Sequence, residues 1–242
     1  AYYASEIKPL THVEVVSGID GKRFIDPMKM NTSLGFPLKG TKENAIIDLE
    51  PTDSHACPRT LTDEHWKEYK IFEDCARKGI RYNAIYKACL KDEPTKKTKD
   101  KVRVFQAAPL ILQIAARKYF LPIARFLSLH PLVSECAVGI NCLSREMDAM
   151  YTHAAKFGED RGFAGDYSKY DIRMPAQLTI ESLRVMLEIA QEFPDNYTPF
   201  DLSVMALVIT EIAYPIVSYD GSLLLFMGIN PSGQNLTFYV NS

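Results

Sequence analysis

The sequence predicts an α+β fold in which short antiparallel strand pairs pack against long helices. Three observations carry this. Asp220-Gly221 sits between two β-compatible runs, residues 216–219 and 222–226, a hairpin signal because both turn positions accept positive φ. Helical periodicity recurs over residues 62–78, 110–129, 178–193 and 199–214. At 242 residues, with 47% hydrophobic, 24% charged and 11% aromatic content, the chain can bury a core as one large domain or two lobes.

Taken in order, the first sixty residues alternate turn formers (Gly18, Asp20-Gly21, Gly35, Pro37, Gly40, Pro51) with short apolar runs and read as loops and short strands. Residues 62–78 read as a helix with an N-cap at Thr62 or Asp63, an apolar stripe of Trp66, Tyr69, Phe72 and Ala76, and a stop at Gly79. Residues 84–90 and 102–105 are strand-like and flank a basic loop. Residues 110–129 follow as a helix with Ile111, Ile114, Ala115, Tyr119, Ile123 and Leu127 on one side and a kink expected at Pro122. Residues 147–157 form a shorter helix. Residues 163–166 read as a strand ending in Asp166, and in the helix over 178–193 Leu178, Leu183, Met186, Leu187 and Ala190 face inward. A last helix begins after Gly233, with Leu236, Phe238, Tyr239 and Val240 still to be buried and no stop signal before Ser242, the pattern of an incomplete sequence.

Charge is uneven. Residues 94–128 hold eight Lys or Arg against the single acid Asp100, so this stretch carries +7 and the remainder −9 within a net charge of −2. A basic block in an otherwise acidic chain suggests a local phosphate contact, although a solvated loop has the same composition. The five cysteines form no CxxC pair and cannot all pair with one another, which favours reduced thiols. His55, Cys57 and His65 lack a fourth ligand and zinc spacing. No stretch is long and apolar enough to span a membrane: 221–242 is interrupted by Gly228, Asn230, Pro231, Gly233 and Gln234.

Four segments could carry chemistry. Asp166-Tyr167-Ser168-Lys169-Tyr170-Asp171 sets two carboxylates five apart across a strand-to-helix turn, where a rigid strand end can present an acid to Mg²⁺; alone, the pattern also fits turn or capping chemistry. Pro231-Ser232-Gly233 leads to Thr237 and Asn241, which share one face if the helix starts near Gly233; the same pattern fits a capped helix with a neutral polar face. Lys91-Asp92-Glu93 opens the basic block that ends at Lys101-Val102-Arg103, cations suited to a triphosphate and its pyrophosphate. Asn31-Thr32-Ser33-Leu34-Gly35-Phe36-Pro37 is a turn by composition.

In this order and at these separations the four segments resemble the RNA-dependent RNA polymerases of picorna-like positive-strand RNA viruses, over the chain from about residue 30 to its end. The resemblance implies a partial right-hand polymerase fold. Residues 1–118 would be fingers, with a template-guiding loop near 31–37 and a nucleotide-channel segment at 91–103. Residues 119–242 would be an incomplete palm, with the first metal-binding strand at 163–171, the second motif's helix start at 232–242, and 201–230 packing back on the fingers. Asp166, helped by the Tyr167 carbonyl, would bind the catalytic Mg²⁺ (or Mn²⁺). Asp171 and Asn241, with Ser232, Gly233 and Thr237, would recognise the ribose 2′-hydroxyl of the incoming nucleotide. Arg103 and Lys99 would contact its triphosphate, supported by Lys91, while Thr32, Ser33 and Gly35 would guide the template.

The implied partners are an RNA template and primer, nucleoside triphosphates, a protein primer and other viral replication proteins. The implied location is the host cytoplasm, at membrane-associated replication complexes reached through those partners. The sequence holds no Gly-Asp-Asp segment, the family's source of a second metal-binding acid, nor a thumb, so these 242 residues alone are expected to lack turnover. A reverse transcriptase is disfavoured because Asp171 stands where that class holds a bulky residue against the 2′-hydroxyl. The remaining alternative is a catalytically inactive RNA-binding remnant, against which the intact Asp166, Asp171, Ser232 and Asn241 argue.

Overall fold

The computed structural model describes residues 2–53, 55–94, 97–98 and 103–241. The helices among them are α1 (His12–Ser17), α2 (Asp63–Lys78), α3 (Leu110–Leu129), α4 (Pro131–Ser134), α5 (Arg145–Ala154), α6 (Tyr170–Arg173), α7 (Ala176–Gln191), α8 (Pro199–Ala213) and α9 (Thr237–Val240). The strands are β1 (Ile46–Asp48), β2 (Arg59–Leu61), β3 (Ile85–Leu90), β4 (Val104–Ala107), β5 (Ile216–Tyr219) and β6 (Ser222–Leu225). β1 and β2 pair antiparallel, and the larger sheet runs in the order β4-β3-β5-β6. Helices and sheet together give the expected α+β class.

Helix α2 forms where its punctuation places it. Asp63 and Glu64 lie in the first turn and Arg77 and Lys78 in the last, each complementing the helix dipole. Gly79 takes φ 65°, and its N–H reaches the Ala76 carbonyl while that of Ile80 reaches Cys75, so two terminal carbonyls are satisfied by a Schellman closure. Its buried face is Tyr69, Phe72 and Ala76, with Trp66 stacked on His12 at 3.8 Å.

Helix α3 is the centre of the core. It buries Ile111, Ile114, Ala115, Tyr119 and Ile123, but also Leu112, Ala116, Phe120 and Ala124, so it is covered on most of its circumference rather than along one stripe. It continues through Pro122. A proline cannot donate to the carbonyl four residues back, and that carbonyl, on Lys118, instead accepts the Leu10 N–H at 2.9 Å. The division expected at 118/119 falls inside this helix, and one buried cluster draws on both sides of it.

Helix α8 packs on α2, α3 and α7 and starts with a reciprocal capping box between Thr198 and Asp201. Its Glu211 is fully buried. The carboxylate accepts from Arg81 Nη2 at 3.0 Å, Arg81 Nε at 3.4 Å and the backbone N–H groups of Asn83 and Ala84 at 3.0 and 2.9 Å. These bonds fix the approach to β3, which then takes β5 as a parallel neighbour through Ile85↔Ile216, Tyr86↔Val217 and Lys87↔Ser218. At the β5–β6 turn Asp220 and Gly221 have φ of 44° and 79°, the paired positive values that a tight hairpin requires.

Four expectations need correction. Residues 163–166 are not a strand: a strand needs a partner for its backbone groups, none of the described strands pairs with this segment, and Phe163 is 98% exposed. Leu178 faces outward at 53% exposure, because the buried stripe of α7 runs through Ala176, Thr179, Leu183, Met186 and Ala190. The helix expected over 147–157 ends as α-helix at Ala154 and tightens to 3₁₀ over Ala155–Phe157. The last helix begins at Thr237 rather than after Gly233. Lys99 and the expected strand start at Val102 lie outside the described residues. No helix among the described residues is long and apolar enough to cross a membrane.

Candidate active site

The end of β4 is a meeting point for two of the four segments, and a third is joined to them through Asn230. On one side lies the turn around Gly35. Its φ is +84°, and a Cβ there would come within 2.6 Å of Pro109 Cα and 2.9 Å of the Ala108 carbonyl, so only glycine allows the loop to lie so close. The Leu34 carbonyl accepts the Leu110 N–H at 2.9 Å, and the Ser33 hydroxyl accepts the Gly35 N–H at 3.1 Å. Thr32 is held twice: its hydroxyl donates to the Lys29 carbonyl and accepts from Lys42 Nζ, both at 2.8 Å.

Lys42, absent from the sequence reading, is buried, and burial with the nearby Arg117 guanidinium lowers its pKa to about 8. Because the folded value lies below the unfolded one, the unfolded chain holds more protons between pH 8 and the ordinary lysine range near 10.5. Wild-type stability should therefore rise through that window relative to Lys42→Met. Denaturant midpoints of both chains measured from pH 7 to 10.5 check this; parallel profiles would refute it.

On the other side of β4 lies the Pro231-Ser232-Gly233 turn. Gly233 bridges in parallel to Ala107, the Ala108 N–H donates to the Gly233 carbonyl at 3.4 Å, and the Ser232 N–H reaches Gln106 Oε1 at 3.3 Å. A Cβ on Gly233 would stand 2.2 Å from the Gln106 carbonyl. This strand-like contact keeps residues 231–236 out of the helix, which is why α9 starts late. Thr237 turns its hydroxyl back to the carbonyls of Pro231 and Gln234, at 3.1 and 3.0 Å, rather than offering its proton outward.

Asn230, also missed, joins this turn to the Asp171 segment. It is 1% exposed, its N–H donates to the Asp171 carbonyl at 2.7 Å, and its Nδ2 donates to Asn241 Oδ1 at 2.5 Å. Asp171 thus lies on the short helix α6, entered through Lys169 at φ 57°, one residue away from Asn241 through bonded contacts. Its spacing two residues before Ser232 was the only available signal, and a buried asparagine has no pattern that separates it from an exposed one.

The opposite end of the β3–β4 hairpin carries the basic pair. The Lys91 N–H donates to the Arg103 carbonyl at 2.8 Å, and both side chains converge on Glu93, Lys91 at 3.2 Å and Arg103 at 3.4 Å. Both cations are exposed, so these pairs are weak, about 0–1 kcal/mol, and readily exchanged for another anion. The four residues of β4 separate Arg103 from Ala107 and the glycine turns by roughly 13 Å.

Asp166 and Tyr167 are exposed on the loop before α6, and the structure does not draw them into the β4 cluster. Among the described residues no group of three or more His, Cys, Asp or Glu side chains gathers as a metal cage. An exposed carboxylate beside a backbone carbonyl suits one edge of a hard-cation site and leaves the remaining positions to other oxygens.

The family model described as viral RNA-dependent RNA polymerase matches residues 1–242, and the chain belongs to that family. It is 27% identical over 97% of its length to the RNA1 polyprotein of Tomato torrado virus, 25% over 96% to the replicase polyprotein of Drosophila C virus, and 30% over 71% to that of Cricket paralysis virus. The matches span 11%, 14% and 10% of those polyproteins. Among solved structures, the Sicinivirus 3Dpol RNA dependent RNA polymerase superposes with a TM-score of 0.66 at 21% identity, covering 95% of this chain and 46% of that one.

Proposed function

We propose that this chain supplies the nucleotide-selecting part of an enzyme that copies RNA from an RNA template, in which a primer 3′-hydroxyl attacks the α-phosphate of a nucleoside triphosphate. The observation that carries the reading is the bonded path from Asp171 through Asn230 to Asn241, braced by Ser232 and Gly233 against β4. In this reading Arg103 and Lys91 exchange Glu93 for the triphosphate, Lys99 adds to that contact, and Thr32, Ser33 and Gly35 shape the path of the template. Asp166 and the Tyr167 carbonyl would hold Mg²⁺ or Mn²⁺, which supplies neutralisation of charge on the transferring phosphoryl group. Asp171 and Asn241 then bracket the ribose 2′-hydroxyl, with Ser232 and Thr237 supporting the turn between them. RNA template, primer and nucleotides are the proposed partners, together with a protein primer and other replication proteins.

A site built to bond a hydroxyl rejects a substrate lacking it, because its own polar groups are left unpaired. Losing that network costs on the order of 1 to 3 kcal/mol, or roughly five- to 150-fold in discrimination. Asn241→Ala and Asp171→Ala, made in the complete polymerase that carries this sequence, should lower the ratio of kcat/KM for GTP to that for dGTP. Single-nucleotide incorporation on a defined primer and template measures it. Variants that lose rate yet keep the parental sugar preference would show that these residues only support the fold.

A further inference from the structure

A carboxamide has nearly the same shape either way round, so which end of Asn241 faces a substrate depends on what its other end must bond. That choice can be traced backward through buried groups to a fixed point. The Leu236 backbone N–H can only donate, and it donates to Gln234 Oε1 at 2.6 Å. This leaves Gln234 Nε2 on the other side, where it donates to Asn230 Oδ1 at 3.4 Å. Asn230 must then present Nδ2 to Asn241, whose Oδ1 accepts at 2.5 Å. The atom of Asn241 left over is therefore Nδ2, a donor. Asn230 and Gln234 are buried, so water cannot readily replace a broken link.

From this we infer that Gln234 and Asn230 form an amide relay that fixes the donor end of Asn241 outward, making both of them positioning residues for recognition of a ribose hydroxyl. The inference rests on the sugar-selecting role proposed for Asn241 and Asp171. Its chemistry is directional. A 2′-hydroxyl can accept from Asn241 Nδ2 while donating to the Asp171 carboxylate, whereas a reversed Asn241 would present an oxygen to both and repel the carboxylate. The Asn230 N–H also binds the Asp171 carbonyl at 2.7 Å, so one residue sets the orientation of the amide and the position of the acid's backbone.

The test uses the complete polymerase, with Asn230→Leu, close in shape but without a donor, and Gln234→Met, which has no bond to Asn241 in wild type. Incorporation of GTP and dGTP is measured for each, with Asn241→Ala in parallel. Both relay variants are expected to lower the GTP to dGTP ratio of kcat/KM by about tenfold, through a larger fall for GTP than for dGTP. The double variant Asn230→Leu/Asn241→Ala is expected to discriminate no less than Asn241→Ala alone. If Asn241→Ala lowers the ratio while Asn230→Leu and Gln234→Met reduce both nucleotides by one factor, the relay is overturned and its amides are only structural. If Asn241→Ala itself leaves the ratio unchanged, the sugar-selecting reading fails, and the relay falls with it. Should Asn230→Leu fail to fold by circular dichroism, Gln234→Met decides the question by the same two outcomes.

Discussion

Asp166→Asn in the complete polymerase is expected to reduce nucleotide incorporation by roughly a thousandfold or more, since several kcal/mol of charge stabilisation on the phosphoryl group depends on the ion this carboxylate would hold. The substitution keeps the side chain's shape and removes only its charge. Asp166 is exposed and no hydrophobic packing rests on it, so stability should hardly change. Binding of primed RNA, which depends on cationic side chains neutralising phosphates, should stay within about twofold of the parent. Rapid-quench incorporation and fluorescence anisotropy on one primer and template separate the two quantities. Extension by the variant at near-parental rate would move the metal site elsewhere in the protein.

The largest effect on stability is expected at Glu211. Glu211→Ala removes an acceptor shared by Arg81 and by the N–H groups of Asn83 and Ala84, and leaves those groups facing a cavity. Breaking a buried pair from one side costs about 3–5 kcal/mol, part of which Arg81 can recover because its own side chain is 29% exposed. Guanidinium unfolding should show a lower midpoint with an unchanged slope. A loss below about 1 kcal/mol would mean that the carboxylate is replaceable, and that α8 and β3 are joined by their apolar contacts alone.

These two residues mark what the sequence could and could not reveal. The elements with local punctuation were legible: α2 from its charged ends and Gly79, and the β5–β6 hairpin from Asp220-Gly221. Helix α1 was also signposted, by the reciprocal cap of Thr11 and Glu14, but it is only six residues long and its signal was lost among turn formers. The 163–166 segment was misread because a brief apolar run ending in an acid describes a strand's own residues and says nothing of whether a neighbour exists to pair with it. In the site, residues defined by motif spacing could be named in advance. Those defined by long-range partners could not: Glu211 reads as one acid in an apolar helix, and Asn230 as one more polar residue in a loop. Their roles arise from bonds to positions 130 and 11 residues away.

The bond between the Leu10 N–H and the Lys118 carbonyl has a further consequence for how the N-terminal segment finds its seat. Apolar contacts alone fix a register loosely, since hydrophobic side chains of similar volume can replace one another at modest cost. A carbonyl already engaged within a helix is a poorer acceptor for an incoming backbone N–H than one left free. By withholding one internal bond, Pro122 leaves the Lys118 carbonyl free in the middle of the helix, and the Leu10 N–H occupies it. The proline thus behaves as an address in the middle of α3. Replacing it with alanine would mend the helix and erase the address, leaving the leading residues to the side-chain bonds that Arg125 makes with Glu6 and Arg117 with the Val15 carbonyl.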